Sequence, residues 1–214
     1  MSIREIVALT TAEITSGPAS DKSAAIIKRA EELSAKWAGE LTSISNPKVQ
    51  EALTTIARPI LGCAALFKSF ETASKTRYGT KIPQRLSYNL VDHWTKLESI
   101  KALYIEIAET AGASNKGIAP GMEARIEALV RELSELSFSL VKQIGLEAGF
   151  SQWAPALDWI IQELKSPKIG SFDGSIAQLL HSGCKVVRSH FALAPFNGWT
   201  LLTFFDGVLP CRAS

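Results

Sequence analysis

The stretch "MEARIEALVRELSELSFSLVKQIG", residues 122–145, decides the fold class of this chain. Its apolar residues recur at steps of three and four, which is the repeat of a helix with one buried face. Pro120 suits a first helical turn, and Gly145 suits a helix end. The predicted buried stripe consists of Ile126, Leu129, Val130, Leu133, Leu136, Leu140, Val141 and Ile144. The stretch therefore predicts a long amphipathic helix.

The same repeat predicts further helices before this stretch. One is expected from Ser20 to about Leu41, and Asn46 is expected to be the N-cap of a second. Pro59 lies inside that second helix and should kink or split it, because proline lacks a backbone donor. Another helix is expected to open at Pro83 and to reach about residue 111. Its predicted inward residues are Leu86, Leu90, Trp94, Leu97, Ile100, Tyr104 and Ile107.

Shorter helices are expected to start at Ser151 and near Asp173 or Ser175, and alternation typical of strands is nearly absent. We therefore predict an all-α fold, a single globular helical protein of about seven or eight helices in two closely packed lobes. Helix-breaking residues concentrate between 76 and 84. They suggest an N-terminal lobe over 1–80 and a C-terminal lobe over 81–214, or one domain that includes both.

Composition restricts the function classes. The chain has 214 residues, 46% apolar and 21% charged, with a formal net charge of +2, which is ordinary for a globular protein. The start lacks the basic and apolar blocks of a secretory signal, and no apolar run approaches the ~20 residues of a membrane span. Three widely spaced cysteines favour a reducing compartment. We therefore expect a cytoplasmic protein without a stable membrane span.

No residue pattern predicts catalysis. His93, His181 and His190 are the only histidines, and none has metal-ligand spacing. Nucleophile-elbow, phosphate-loop and dinucleotide motifs are absent from the sequence. Asp92 and His93 are explained as ordinary surface residues of a helix. The sequence predicts no enzyme, no metal and no cofactor.

A basic segment is the most informative local feature. In "KSFETASKTRYGTKIPQRLSY", residues 68–88, five cations face the single acid Glu71, and Tyr88 lies at the end. Cations neutralise phosphates and aromatic rings accept stacked bases, so the segment predicts contact with single-stranded RNA. A solvated loop with ordinary lysines is the alternative. The candidate RNA-binding residues are Lys68, Lys75, Arg77, Tyr78, Lys81 and Arg85.

A second candidate surface is the apolar segment "WTLLTFFDGVL", residues 199–209, whose one charge is Asp206. Large exposed apolar patches mark partner sites on soluble proteins, so the segment suggests a partner or assembly surface. Packing of the segment into the chain's own core is the alternative. The candidate assembly residues are Trp199, Leu202, Phe204, Phe205 and Val208.

The C-terminal half resembles the coat proteins of flexible filamentous plant viruses, the potexvirus-like group, between residues 103 and 210 with gaps. The stretches that carry the resemblance follow the family's order: "AETAGASNKG" (108–117), "ARIEALVREL" (124–133), "WAPALDWIIQELKSP" (153–167) and "FFDGVLP" (204–210). The resemblance implies subunits that assemble into a filament, with RNA held between lobes, and hence a location in the virion. The family holds RNA partly with an arginine and an aspartate, whereas this chain has Ser137 and Thr203 at the aligned positions.

Two main functions follow as hypotheses. The first is a structural coat or nucleocapsid-like protein that self-assembles and binds single-stranded RNA phosphates without sequence preference. The second is a helical interaction module, such as an adaptor, immunity or toxin-like bundle, that docks a protein or a membrane surface through its apolar C-terminus. A bundle that binds a lipid among its aromatic residues is a third, although core packing explains those aromatics better.

Overall fold

A computed structural model describes residues 2–16, 23–114 and 120–147 of the chain. The helices are α1 (Ile3–Ser16), α2 (Ser23–Glu40), α3 (Pro47–Tyr78), α4 (Gln84–Ala113) and α5 (Met122–Glu147), with a short 3-10 turn over Leu41–Ser43. The described ranges contain helices and no strand, so the predicted all-α class is confirmed for them. The helices expected from Ser151 and near Asp173 lie outside these ranges.

The third helix lies at the centre of the bundle. Between Ile56 and Phe67 every side chain is buried except the half-buried Arg58. A helix that is apolar around its whole circumference has to be enclosed by other elements. The other four helices supply that enclosure, since α1, α2, α4 and α5 all pack against α3.

The start of α3 was predicted correctly, and of the two outcomes expected at Pro59, a kink or a split, the split does not occur. The Asn46 side-chain oxygen accepts the backbone N–H groups of Lys48 (3.0 Å) and Val49 (3.2 Å), as an N-cap does. The helix nevertheless runs unbroken through Pro59, so the expected split is wrong. Pro59 lies in the enclosed stretch, where packing on all sides holds the helix together across one missing hydrogen bond.

Helix α4 follows its predicted limits, with one change on its inner face. Trp94 was expected inside, yet 37% of it is exposed, and His93 is buried at 4% exposure instead. Counting back from Leu97 by four residues gives His93, so the neighbouring tryptophan lies at the rim of the apolar face. The Trp94 ring there contacts Phe67, with 5.1 Å between ring centroids.

One hydrophobic core connects the described helices. Its buried residues come from α1 to α5, on both sides of residue 80. No individual prediction located the first helix, and its residues Ile6 and Val7 join this core. The division into lobes and the total of seven or eight helices remain predictions, because they also concern residues outside the described ranges.

Two buried polar side chains are satisfied where the N-terminal helices meet α3 and α4. The Trp37 indole N–H donates to the Thr10 hydroxyl at 2.6 Å, and that hydroxyl donates to the Ile6 carbonyl at 2.6 Å. The Tyr104 hydroxyl donates to the Leu53 carbonyl at 3.1 Å, and burial raises its pKa. Buried donors that lack such partners destabilise a fold, so these bonds hold α1 and α4 in register with the core.

The variant Thr10→Val tests the contribution of the Trp37 bond. Valine keeps the shape of threonine but leaves the buried indole N–H without its acceptor, which costs about 1–3 kcal/mol. We expect the free energy of unfolding, measured by urea titration, to fall by that amount. Thr54→Val is the matched control, because Thr54 is exposed and bonds only within its own helix, to the Gln50 carbonyl. An equal loss in both variants would contradict the role of the buried bond.

Candidate functional site

The predicted basic segment forms the junction between α3 and α4. Gly79 ends α3 with φ at 59°, a left-handed conformation that glycine adopts without strain. Its N–H donates to the Lys75 carbonyl at 2.8 Å, and the N–H of Lys81 donates to the Tyr78 carbonyl at 3.1 Å. The junction is therefore an ordered turn that presents the side chains on either side of it.

Two of the predicted RNA-binding cations are held by an acid of their own helix. The Glu71 carboxylate lies 2.7 Å from the Lys75 ammonium and 3.4 Å from that of Lys68. The hydrogen bond from Lys75, more than any other contact, lowers the pKa of Glu71. These two lysines add to the positive field of the junction, but each already has an anionic partner.

Arg77 connects the junction to the end of α5. Its guanidinium donates to the main-chain carbonyl of Glu147 at 2.7 Å and lies 3.4 Å from the Glu147 carboxylate. The same guanidinium lies over the Tyr78 ring, 5.3 Å from its centroid, and Tyr78 packs against the core. Arg77 and Tyr78 therefore act as structural contacts between helices. Five cations against Glu71 and Glu147 leave a local excess of three charges, one fewer than the sequence suggests.

Lys81, Arg85 and Tyr88 form what we call the junction surface. Lys81 and Arg85 are exposed, and neither has an ion pair among the residues that the structure describes. Tyr88 is 65% exposed, one helical turn after Arg85 and on the same side of α4. The Gln84 amide donates to the Tyr88 hydroxyl at 3.1 Å and orients the ring. The exposed ring that a stacked base would need is therefore that of Tyr88, whereas the candidate residues predicted from the sequence include Tyr78 instead.

Position 137, where the resembled family has its RNA-binding arginine, lies inside the bundle. Ser137 is fully buried, donates to the Leu133 carbonyl at 2.8 Å, and has its hydroxyl 3.0 Å from the Cys63 sulfur. Burial raises the pKa of the Cys63 thiol to about 12, so that thiol is unreactive. An RNA contact at position 137 is incompatible with this packing.

The other residues that the resemblance and the apolar segment singled out are not described by the structure. Thr203 and the predicted assembly residues, which are Trp199, Leu202, Phe204, Phe205 and Val208, lie outside the described ranges.

A polar seam joins α4 to α5. The Asn89 amide donates to the Gln143 side chain at 3.3 Å, and His93 Nε2 lies 2.7 Å from the Ser139 hydroxyl. His93 Nδ1 lies 2.6 Å from the Asn89 carbonyl. The prediction that His93 is a surface residue is therefore wrong, and desolvation by burial lowers its pKa.

A groove of about 140 Å³ opens along this seam. It continues from Ser139 toward the middle of both helices and combines charged, hydroxyl and apolar side chains. The lining residues are Lys96, Ser99, Ile100, Glu132, Glu135, Leu136 and Ser139.

The described ranges hold neither a cluster of metal-ligating side chains nor a helix fit to span a membrane. Within residues 2–16, 23–114 and 120–147, no group of three or more metal-ligating side chains comes together. None of the helices in this part of the chain has the length and apolar character to cross a bilayer. No family model, curated protein or solved structure matches the chain.

The buried His93 predicts a pH dependence of stability. Its folded pKa lies below its ordinary value of 6.5, so the unfolded state takes up a proton first as the pH falls through that value. We expect the free energy of unfolding to decrease between about pH 7.5 and about pH 5.5, measured by urea titration at each pH. Asp92 and Lys96 are the charged groups that act on the ring.

The variant His93→Gln isolates that contribution. Glutamine offers hydrogen bonds to the seam but does not titrate, so its loss of stability over the same pH interval should be smaller. His181 and His190 are present in both chains and cancel in the difference. The same pH dependence in both proteins would contradict the effect of His93.

Proposed function

We propose that this protein is a structural coat or nucleocapsid-like protein that binds the phosphates of single-stranded RNA through the junction surface. The observation that carries the proposal is the arrangement of Lys81, Arg85 and Tyr88. Two exposed cations have no ion pair in the described part of the chain, and one of them, Arg85, lies one helical turn from the exposed Tyr88 ring.

This arrangement matches the two interactions that hold single strands without reading sequence. Lysine and arginine displace counterions from phosphates, which makes binding strongly dependent on salt. A base stacks on an aromatic face, and stacking tolerates any base because each has a flat π-surface. Arg85 and Tyr88 lie one turn apart on α4, so the phosphate and the base of one nucleotide can reach both.

The partners of the remaining cations support a division of roles. Lys68 and Lys75 are neutralised in part by Glu71, and Arg77 holds the end of α5. These three residues strengthen the positive field, whereas Lys81 and Arg85 make the direct contacts. A cationic side chain with no anionic neighbour binds phosphate at the lowest cost in free energy, because no existing ion pair has to be weakened.

The double variant Lys81→Glu and Arg85→Glu tests the proposal. Reversal of two contact charges should weaken binding to fluorescent oligo(U) and oligo(A) equally, by about tenfold or more at low salt. It should also reduce the slope of affinity against salt concentration by about two, one for each lost phosphate contact. Fluorescence anisotropy at several salt concentrations measures both quantities.

A matched control changes the net charge equally at the other end of the bundle. The control is the double variant Arg4→Glu and Lys48→Glu. Arg4 pairs at 3.0 Å with the exposed Glu109 near the end of α4, and Lys48 lies at the start of α3. Along α4, about 36 Å separate Arg85 from Glu109, the partner of Arg4. Equal losses in the two double variants would mean that only net charge matters, and the junction surface would not be the RNA site.

A second function, the helical interaction module, is favoured by apolar exposure on the same helix. Val91 is 64% exposed and follows Tyr88 by three residues, so the two form an apolar strip on α4. Exposed apolar side chains that cluster are typical of protein contacts. The coat-like function also requires contacts between subunits, so the presence of nucleic acid separates the two functions.

Light scattering during size-exclusion chromatography, with absorbance at 260 and 280 nm, makes that separation. We expect large assemblies with a raised 260/280 ratio, because a coat-like protein carries RNA from the expression host. A monomer free of nucleic acid that nevertheless binds a partner protein would contradict the coat-like function and favour the interaction module.

A further inference from the structure

Ser139 differs from the other serines of α5 in its hydrogen bond. Ser134 and Ser137 donate to the carbonyls of Val130 and Leu133 in their own helix, each at 2.8 Å. Ser139 instead has its hydroxyl 2.7 Å from Nε2 of His93 on α4. A hydroxyl bonded to imidazole is the arrangement that activates serine as a nucleophile.

The tautomer of His93 follows from its second contact. Nδ1 lies 2.6 Å from the Asn89 carbonyl, and a carbonyl oxygen only accepts, so Nδ1 carries the hydrogen. Nε2 of the neutral ring then presents a lone pair to the Ser139 hydroxyl. Burial favours this neutral form, since it lowers the pKa of His93. Ser139, His93 and the Asn89 carbonyl are thus a hydroxyl, a base and a group that orients the base.

The groove gives this serine a place for a reactant. Ser139 is half-buried at one end of the groove, whose volume of about 140 Å³ suits a small acyl group. Ile100 and Leu136 contribute apolar surface, and Lys96 lines the same groove with its ammonium 3.2 Å from Asp92. Lys96 favours the negative charge that develops on a carbonyl oxygen under attack, whereas Glu132 and Glu135 line the same groove with carboxylates that oppose it.

We propose that Ser139 and His93 form a nucleophile and base pair that takes the acyl group from a small carboxylic ester in the α4–α5 groove. The Ser139 oxygen bonds to the ester carbonyl carbon while its proton passes to His93 Nε2. The bond between that carbon and the leaving oxygen breaks, and the proton moves from His93 to the leaving group. Acyl-Ser139 and an alcohol result, and attack by water, with His93 as base, returns free serine and a carboxylic acid.

The test incubates the full-length protein with p-nitrophenyl acetate and measures intact mass and p-nitrophenol release. We expect one acetyl group per chain, mapped by peptide mass spectrometry to Ser139. Ser139→Ala should abolish the adduct. His93→Gln should slow acetylation by about tenfold or more, because general-base assistance by histidine typically contributes at least that much.

Ser87→Ala is the matched control, since Ser87 is an exposed serine of α4 that does not line the groove. It should be acetylated like the unchanged protein. Circular dichroism and thermal unfolding verify the fold of each variant, and the Ser139→Ala result decides alone if His93→Gln does not fold. Three results would each overturn the proposal: neither an adduct nor p-nitrophenol release above that of Ser139→Ala, an adduct that persists in Ser139→Ala, or acetyl groups spread over lysines.

Discussion

The enclosed stretch of α3 between Ile56 and Phe67 is the constraint on which the rest of the structure depends. Burial of one large aliphatic side chain contributes about 1.5–3 kcal/mol, and this stretch offers such side chains in every direction. The stretch therefore needs neighbours all round, which α1, α2, α4 and α5 supply. The same enclosure explains why Pro59 is tolerated, since the packing exceeds the cost of one missing backbone hydrogen bond.

Because apolar side chains occupy the centre, the polar contacts between helices lie along their seams. Trp37 with Thr10, Tyr104 with the Leu53 carbonyl, and His93 with Ser139 each join two helices through one satisfied hydrogen bond. Such bonds contribute modestly when made and cost more when broken, so they select one packing of the helices over others. The hydrogen bond between His93 and Ser139 fixes the register of α4 and α5, and it is also the contact from which we infer a nucleophile and its base.

Helices and their caps can be predicted from the sequence because they depend on residues a few positions apart. Contacts between residues far apart in the chain leave no such local pattern. Helix α5 and the N-cap at Asn46 follow from periodicity and capping chemistry within a few residues. Trp94 was misplaced because it lies at the rim of the apolar face, where steps of three and four residues do not separate buried from exposed positions. The contact of Arg77 with Glu147 joins residues 70 positions apart, so no local pattern indicates it.

The burial of Ser137 and the exposure of the junction surface bear together on where RNA can bind. A position that faces Cys63 inside the bundle has no access to a phosphate, so the site of the resembled family has no counterpart at 137. The cations without partners in the described residues lie instead at the α3–α4 turn, where the enclosure of α3 ends. Arg77 brings the end of α5 to that same turn through Glu147. Because phosphate contacts need solvated, unpaired cations, the RNA site that we propose lies at the end of the bundle and not in the middle of α5.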